Sequence, residues 1–424
     1  MKIKKIAALV LAAGSILNVL PTFAQETNVY EIRTKEELFA LKEIESVDSV
    51  RLCADLDLSG MEAEPYLIKT LTGTFDGGGH TISNLTLTGQ SGNWSTKYSS
   101  GLIGTLTGTI TNLKLENVTL QMSSCGFSYI GTLAGIIPDG NTALIKQCDV
   151  EGELSVSSGS QLYLGGLVGG ISGSINQPST LTIQDCASSV SISGSSSGYS
   201  GGITGYLGYY STLDLSGCAI LGNLSNGTVC GIAGYAPSKD AQMHLSDSYF
   251  AGVLGGSGRY KRVITHNLSE LSSLTCQNLY YDKDQNLYVD TLSKGYSTVT
   301  GISGLSTQAL LTAAAALDGF EIREGEFGGY PVPKRTKATP AWDLKFSGDN
   351  AVVTAAAPGT YYVIFAAYRE KRLTDTAWIK QEFSAGETTV SAPSSFIPEG
   401  ADSVRIMLFD SLESLHPLTS AQLK

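Results

Sequence analysis

One short phrase returns five times in this chain and leaves few folds open to it. It reads Ser100-Gly-Leu-Ile-Gly104, Gly131-Thr-Leu-Ala-Gly135, Gly165-Gly-Leu-Val-Gly169, Gly201-Gly-Ile-Thr-Gly205 and Cys230-Gly-Ile-Ala-Gly234, with starts 31, 34, 36 and 29 residues apart. Self-similarity at such a period is the mark of a stacked repeat. One winding of about 30 residues cannot bury its own apolar face, whereas equivalent windings laid on each other pair their backbones and share a core. The glycines of the phrase fit tight corners and close approach between neighbouring windings.

A second phrase follows the first after a variable loop: Thr111-Asn-Leu113, Lys146-Gln-Cys148, Gln184-Asp-Cys186, Ser216-Gly-Cys218 and Ser246-Asp-Ser248, with Ser83-Asn-Leu85 before them and Gln277-Asn-Leu279 after. Leu85, Leu113, Cys148, Cys186, Cys218, Ser248 and Leu279 therefore share one position, and a site that accepts Leu, Cys and Ser reads as an inward column of a stack. A metal site or a disulfide chain is the functional alternative for these cysteines. No C-x-x-C spacing supports it, and His80, His244, His266 and His416 form no cluster with Cys. Three stretches of period-two alternation fall in each repeat. The reading is an all-β parallel β-helix of eight or so rungs, roughly 40 Å long at about 4.8 Å per rung.

Both ends need covering, because an open coil exposes strand edges. Thr34 to Glu37 spells a capping box ahead of Leu38, Leu41 and Ile44, which predicts a cap helix over about Lys35 to Glu45. Ser306 to Leu317, stopped by Gly319, is the helix candidate for the other end. Ahead of all this, basic Lys2, Lys4 and Lys5, an apolar Ile6–Leu20 and a small-x-small site at Thr22-Phe-Ala24 form a signal peptide over residues 1–24. The mature chain is then expected outside the cytoplasm, with no transmembrane segment. Charged residues are only 16% of the chain and the formal net charge is −11. That balance excludes nucleic acid as a partner class and disfavours anionic membranes.

In order along the chain, these residues resemble the GLUG-repeat proteins of bacterial surfaces. Residues 30–44 are similar to that family's leading cap helix, Val50 to Gly60 to its first-strand phrase, and Gly73-Thr-Phe-Asp-Gly-Gly-Gly-His-Thr-Ile-Ser-Asn-Leu85 to its most recognisable line. Tyr280-Tyr-Asp282, Gly301 to Ala309 and Phe327-Gly-Gly-Tyr-Pro331 look like its closing segment. The resemblance covers about residues 28–335 and departs from the pattern near Gly173 to Pro178. It implies a right-handed parallel β-helix over residues 25–335 and an adhesin-like surface role, with no shared catalytic residues to transfer.

A Pro-flanked basic linker at 336–341 precedes a change of character. Residues 342–424 alternate as strands separated by Pro358-Gly359 and Pro398-Glu-Gly400, which predicts a small Ig- or fibronectin-like β-sandwich. Its end, Val404 to Leu418, resembles the close of sandwich modules appended to clostridial-type secreted proteins.

No catalytic, cofactor or metal residue is expected. Asp76-Gly-Gly-Gly-His80 lacks the Gly-Lys-Ser/Thr ending of a phosphate loop and reads as a turn. His80 with Asp76 and Ser83 would make a triad only through geometry that a sequence does not display. The acids Asp149, Glu151, Glu153, Asp185, Asp214 and Asp247 are scattered through the repeats. Aromatics are the better binding candidates: Trp94 in a Gly/Ser loop, and Tyr206, Tyr209 and Tyr210, which share a repeat with Tyr199. The same rings could equally fill corner loops. The expectation is a secreted or cell-surface non-catalytic binding or structural protein that presents loops to glycans or extracellular proteins. The alternative is a polysaccharide lyase or glycoside hydrolase on the same scaffold, which needs paired carboxylates along a groove.

Overall fold

The computed structural model describes residues 29–409 and 422–423, apart from 91–97, 124, 158, 195–197, 226, 238–239, 256–260, 267–270, 287–298, 336–342, 348–349, 356–358, 371, 385, 397 and 399. The expected signal peptide, Trp94 and the expected linker 336–341 fall outside those residues. The chain divides into two compact units, Thr27–Lys337 and a C-terminal unit beginning at Ala338.

The first unit is a parallel β-solenoid of about six turns, fewer than the eight rungs expected. The earliest windings are partial, so the number of strands along one face overstates the number of complete turns. A full turn has four strands. In the turn that begins at Gly159 they are Gly159–Gly165 on face one, Val168–Ile171 on face two, Ser179–Gln184 on face three and Ala187–Gly194 on face four. Each strand pairs in parallel with its counterpart one turn away, as Gly165 does with Gly131 and Gly201, and Ile183 with Ile145 and Leu215. Period-two alternation decides what goes inside. Leu181 and Ile183 point in while Thr182 and Gln184 point out, and Leu213 and Leu215 repeat this one turn later. Phe75, Ile110, Ile145, Ile183, Leu215 and Leu245 thus form one continuous buried column. Each such side chain contributes about 1.5–3 kcal/mol of burial.

The glycines of the repeated phrase act by absence of a side chain. A Cβ on Gly169 would lie 2.3 Å from Ile130 N and 2.5 Å from Gly135 O of the preceding turn, and one on Gly205 would lie 2.3 Å from Leu164 N. The left-handed corners sit elsewhere, at Asn112, Gln147, Asp185, Gly217, Asp247 and Asn278, all with φ between 47° and 63°. These six residues each precede a member of the Leu/Cys/Ser column, and short polar or Gly side chains suit that conformation.

In that column Cys148 lies next to Cys186, Cys186 next to Cys218, and Ser248 opposite Leu279. Cys148, Cys186 and Cys218 are buried and free, and each thiol donates to the carbonyl two residues earlier, at 3.3, 3.1 and 3.2 Å. Ser248 reproduces the contact, its Oγ donating to Ser246 O at 2.6 Å and accepting from Cys218 N at 3.0 Å. That shared geometry is why Cys and Ser alternate there. Leu85 does not belong to the column. Thr86 pairs with Thr119, which sets Leu85 beside Val118 at the next corner. Asn84 and Asn117 are left-handed as well, so two corners use the same Asn-then-apolar wording, and sequence alone merges them.

Helix α1, Lys35–Ala40, has the expected capping box: Thr34 Oγ1 accepts from Glu37 N at 3.2 Å, and Glu37 Oε2 accepts from Thr34 N at 3.1 Å. It is shorter than predicted and passes into a single 3₁₀ turn, Leu41–Glu43. Leu38 and Leu41 seat it on the solenoid core.

Helix α2, Thr307–Ala315, does not close the opposite end as expected. With Phe320, Phe327 and Val332 it forms a strap on the outside of face four, whose Leu310 and Ala314 belong to one buried cluster with Ala187, Ala219 and Tyr249, equivalent positions of three successive turns. Tyr249 Oη donates to Pro331 O at 2.5 Å. The strap then runs back toward the first turns: Arg323 and Arg335 meet Asp149, Lys114 meets Glu326 at 3.0 Å, and Arg335 donates to Gly79 O. The physical cause is the apolar outer column of face four, which would otherwise face water.

The second unit has a three-stranded antiparallel sheet (Asp343–Ser347, Asn350–Ala355, Gly386–Ser391) and a four-stranded one (Gly359–Arg369, Arg372–Phe383, Ser403–Phe409, Gln422–Leu423). Leu344, Ala351, Val353 and Val390 of the first share a core with Val363, Phe365, Ile406 and Leu408 of the second. Two sheets with one core between them make a sandwich.

Candidate aromatic site

Tyr163 lies between the inward Leu162 and Leu164 on face one, so alternation turns its ring outward. Tyr129 and Tyr199 are its partners in the turns on either side. On face two, Tyr206 pairs with Gly170 and Tyr235. The two columns meet. Ring centroids are 5.4 Å apart for Tyr129–Tyr163, 4.6 Å for Tyr163–Tyr206 and 4.4 Å for Tyr199–Tyr235, with His266 at 6.1 Å from Tyr235. Outward side chains of two neighbouring faces touch only where those faces meet at a re-entrant angle, so the corner is a groove lined by rings. Gly170 keeps it open to Tyr129, whose Cδ1 would lie 2.4 Å from a Cβ at that position.

The groove is graded along the rod. Tyr129 and Tyr163 are buried, whereas Tyr199, Tyr206 and Tyr235 are half-buried and present ring surface to solvent. Burial pushes the Tyr163 phenol up to about 12 and raises those of Tyr129 and Tyr206 as well. Burial, with a smaller contribution from Arg262, lowers His266 to about 4. Tyr129, Tyr163, Tyr206 and His266 are therefore uncharged at neutral pH.

Of the sequence candidates, Tyr206 lies in the groove. Tyr209 is 51% exposed at the end of face two, and Tyr210 takes a left-handed corner with φ 51°. Tyr129, Tyr163 and Tyr235 were missed. Their signal was present as an aromatic at a fixed offset from the glycine phrase: Tyr129 and Tyr163 two residues before Gly131 and Gly165, and Tyr206 and Tyr235 one residue after Gly205 and Gly234.

No family model matches this chain, and no curated protein does. Among solved structures it is similar to a Bacteroides ovatus protein described as "a putative immunoglobulin A1 protease". The match has a TM-score of 0.54 at 21% identity and covers 74% of this chain and 94% of that one. At that identity the likeness is one of fold.

The remaining polar candidates sort themselves by turn. Asp149 is buried between Arg323 and Arg335, and beside it Lys114 lies within 4 Å of Glu116, Glu151 and Glu326. Burial opposes charge on Lys114 and Glu326, yet their mutual contact holds both ionised, the lysine pKa raised and the glutamate lowered. Burial raises Glu151, with Lys114 pulling the other way. His80, Asp76 and Ser83 form no triad: His80 Nδ1 meets Asp55 at 3.2 Å, Asp76 caps Gly78 N, and Ser83 Oγ donates to Leu56 O. Asp76-Gly-Gly-Gly-His80 is a turn with Gly78 and Gly79 at φ 59° and 81°. Asp247 accepts from Asn278, and Asp214 meets His244 one turn away.

Proposed function

We propose that this chain is an exported, adhesin-like binding protein of the GLUG-repeat type, acting at the cell surface or outside the cell. The solenoid serves as a rigid mount for an aromatic groove that takes a glycan chain. The observation that carries the reading is the partly open end of the groove, where Tyr235 stacks on Tyr199 at 4.4 Å and lies 6.3 Å from Tyr206, with Tyr209 exposed at the end of face two. Tyr rings give large, rigid contact area at little entropic cost and suit the apolar faces of sugar rings. A rigid sheet places them without further ordering. The sequence-level export signal and the low surface charge agree with such a role.

The carbohydrate-active alternative needs a pair of carboxylates free to face substrate. The clustered acids Asp149, Glu151 and Glu326 are instead engaged with Lys114, Arg323 and Arg335 under the strap.

The test is a glycan array probed with the full chain and with Tyr209→Ser and Tyr235→Ser variants. Binding to one glycan class that falls at least about tenfold in either variant supports the reading. Binding that is absent, or unchanged in both folded variants, overturns it.

A further inference from the structure

On face three, period two turns Asp214 and Ser216 outward while Leu213 and Leu215 enter the core, and one turn later it turns His244 and Ser246 outward over Met243 and Leu245. The register sets Asp214 beside His244 and Ser216 beside Ser246, and the next strand adds Thr275 beside His244 and Gln277 beside Ser246. These six residues, with Thr182 and Gln184, line an open cleft of about 290 Å³. Within it His244 Nδ1 and Asp214 Oδ1 are 2.6 Å apart, both side chains partly exposed. A carboxylate on Nδ1 fixes the imidazole tautomer and leaves Nε2 as the basic nitrogen.

We propose that this cleft is an acyl-transfer centre for short-chain carboxylic esters, distinct from the aromatic groove, with Ser246 as nucleophile, His244 as general base and Asp214 as its positioning residue. Ser246 follows His244 by two residues on the same side of one strand, about 6.6 Å away at Cα, and the assignment requires its hydroxyl to close on the imidazole in the substrate complex. Gln277, its neighbour on the next turn, supplies the amide N–H for the oxyanion. In the reaction Ser246 Oγ attacks the ester carbonyl and His244 Nε2 takes the hydroxyl proton. The tetrahedral intermediate collapses, the C–O bond to the alcohol breaks, and His244 returns the proton to the departing alkoxide. Water, deprotonated by His244, then releases the carboxylic acid and restores Ser246. At about 290 Å³ the cleft has room for a small acyl group. His80 offers a contrast: it too meets an aspartate one turn away, but the nearby Ser83 hydroxyl is turned to Leu56 O.

The experiment incubates the full chain with a fluorophosphonate probe and maps the adduct by mass spectrometry, with p-nitrophenyl acetate turnover alongside. The expected result is an adduct on Ser246. Labelling should fall at least about 100-fold in His244→Gln, vanish in Ser246→Ala and persist in Ser216→Ala. Asp214→Asn should slow labelling at least about tenfold and lower kcat for p-nitrophenyl acetate with KM unchanged, and Asp214→Glu should restore most of both; a merely structural aspartate would leave kcat in place. No adduct, an adduct on another serine, or equal labelling in His244→Gln overturns the assignment. If Ser246→Ala does not melt as the parent does, the position of the adduct on the parent chain decides alone.

Discussion

Replacing Asp149 by Ala tests whether the strap is a clamp on the solenoid's flank. Asp149 is 1% exposed, with Arg323 Nη1 at 2.5 Å, Nη2 at 3.3 Å and Arg335 Nε at 3.4 Å. A unit pair about 4 Å apart at an effective dielectric of 20 is worth about 4 kcal/mol, and breaking a buried pair typically costs about 3–5 kcal/mol because the partner charge is left behind. Arg323 keeps Glu326 at 3.0 Å and Pro333 O at 3.2 Å, which places the cost at the low end, about 3 kcal/mol. The strap touches the outside of face four and the adjoining turn at Gly79 and contributes nothing to the solenoid's inner columns, so the loss falls on its local docking equilibrium. An opening free energy lower by about 3 kcal/mol raises the undocked population about 100-fold. Trypsin cleavage after Arg323 and Arg335 tracks that population when reclosing is fast, and amide exchange over residues 306–335 gives the same quantity independently. The Asp149→Leu/Arg323→Met/Arg335→Met combination removes the ion cluster from both sides and should recover most of the amide-exchange protection. Cleavage within about threefold of the parent in Asp149→Ala would refute the reasoning, as would simultaneous melting of strap and solenoid.

Other consequences are equally concrete. Iodoacetamide should leave Cys148, Cys186, Cys218 and Cys230 unmodified in the native chain, with Cys53 and Cys276 reacting slowly because burial raises their thiols, Cys276 to about 11; adduct counting by mass spectrometry before and after guanidinium checks this. Cys218→Ser should cost only about 1 kcal/mol in urea unfolding, since Ser248 already makes the same contact in the next turn, whereas Gly169→Ala should cost about 3 kcal/mol by forcing a methyl against backbone. His266 is depressed to about 4 against about 6.5 unfolded. Folding therefore favours its neutral form, and the associated stability is complete above pH 6.5 and lost as pH falls toward 4. Relative to pH 7, the loss at pH 5 is about 1 kcal/mol after allowing for solvent screening of this partly exposed ring, and His266→Gln should remove that part of the pH dependence of the urea midpoint.

The order of turns, the inward columns and the capping box at Thr34 are all properties of short range. Each depends on alternation within a strand or on residues three apart, so the chain displays them before it folds, and the Cys148–Cys186–Cys218 column follows from the repeat spacing alone. The confusion of Leu85 with Leu113 marks the limit of that argument, because two corners with the same local wording are told apart only by which strand lies beneath them. Where the faces turn relative to one another is not written locally either. The tyrosines of faces one and two become a groove only through the re-entrant angle between the faces, and Asp214 finds His244 only once the turns are in register. The strap is the extreme case: Arg323 and Asp149 lie 174 residues apart, and nothing in either neighbourhood names the other. Local sequence determined the coil, but long-range packing decided what its outer surface brings together, because a side chain pointing outward takes its partner from whatever the rest of the fold lays against it.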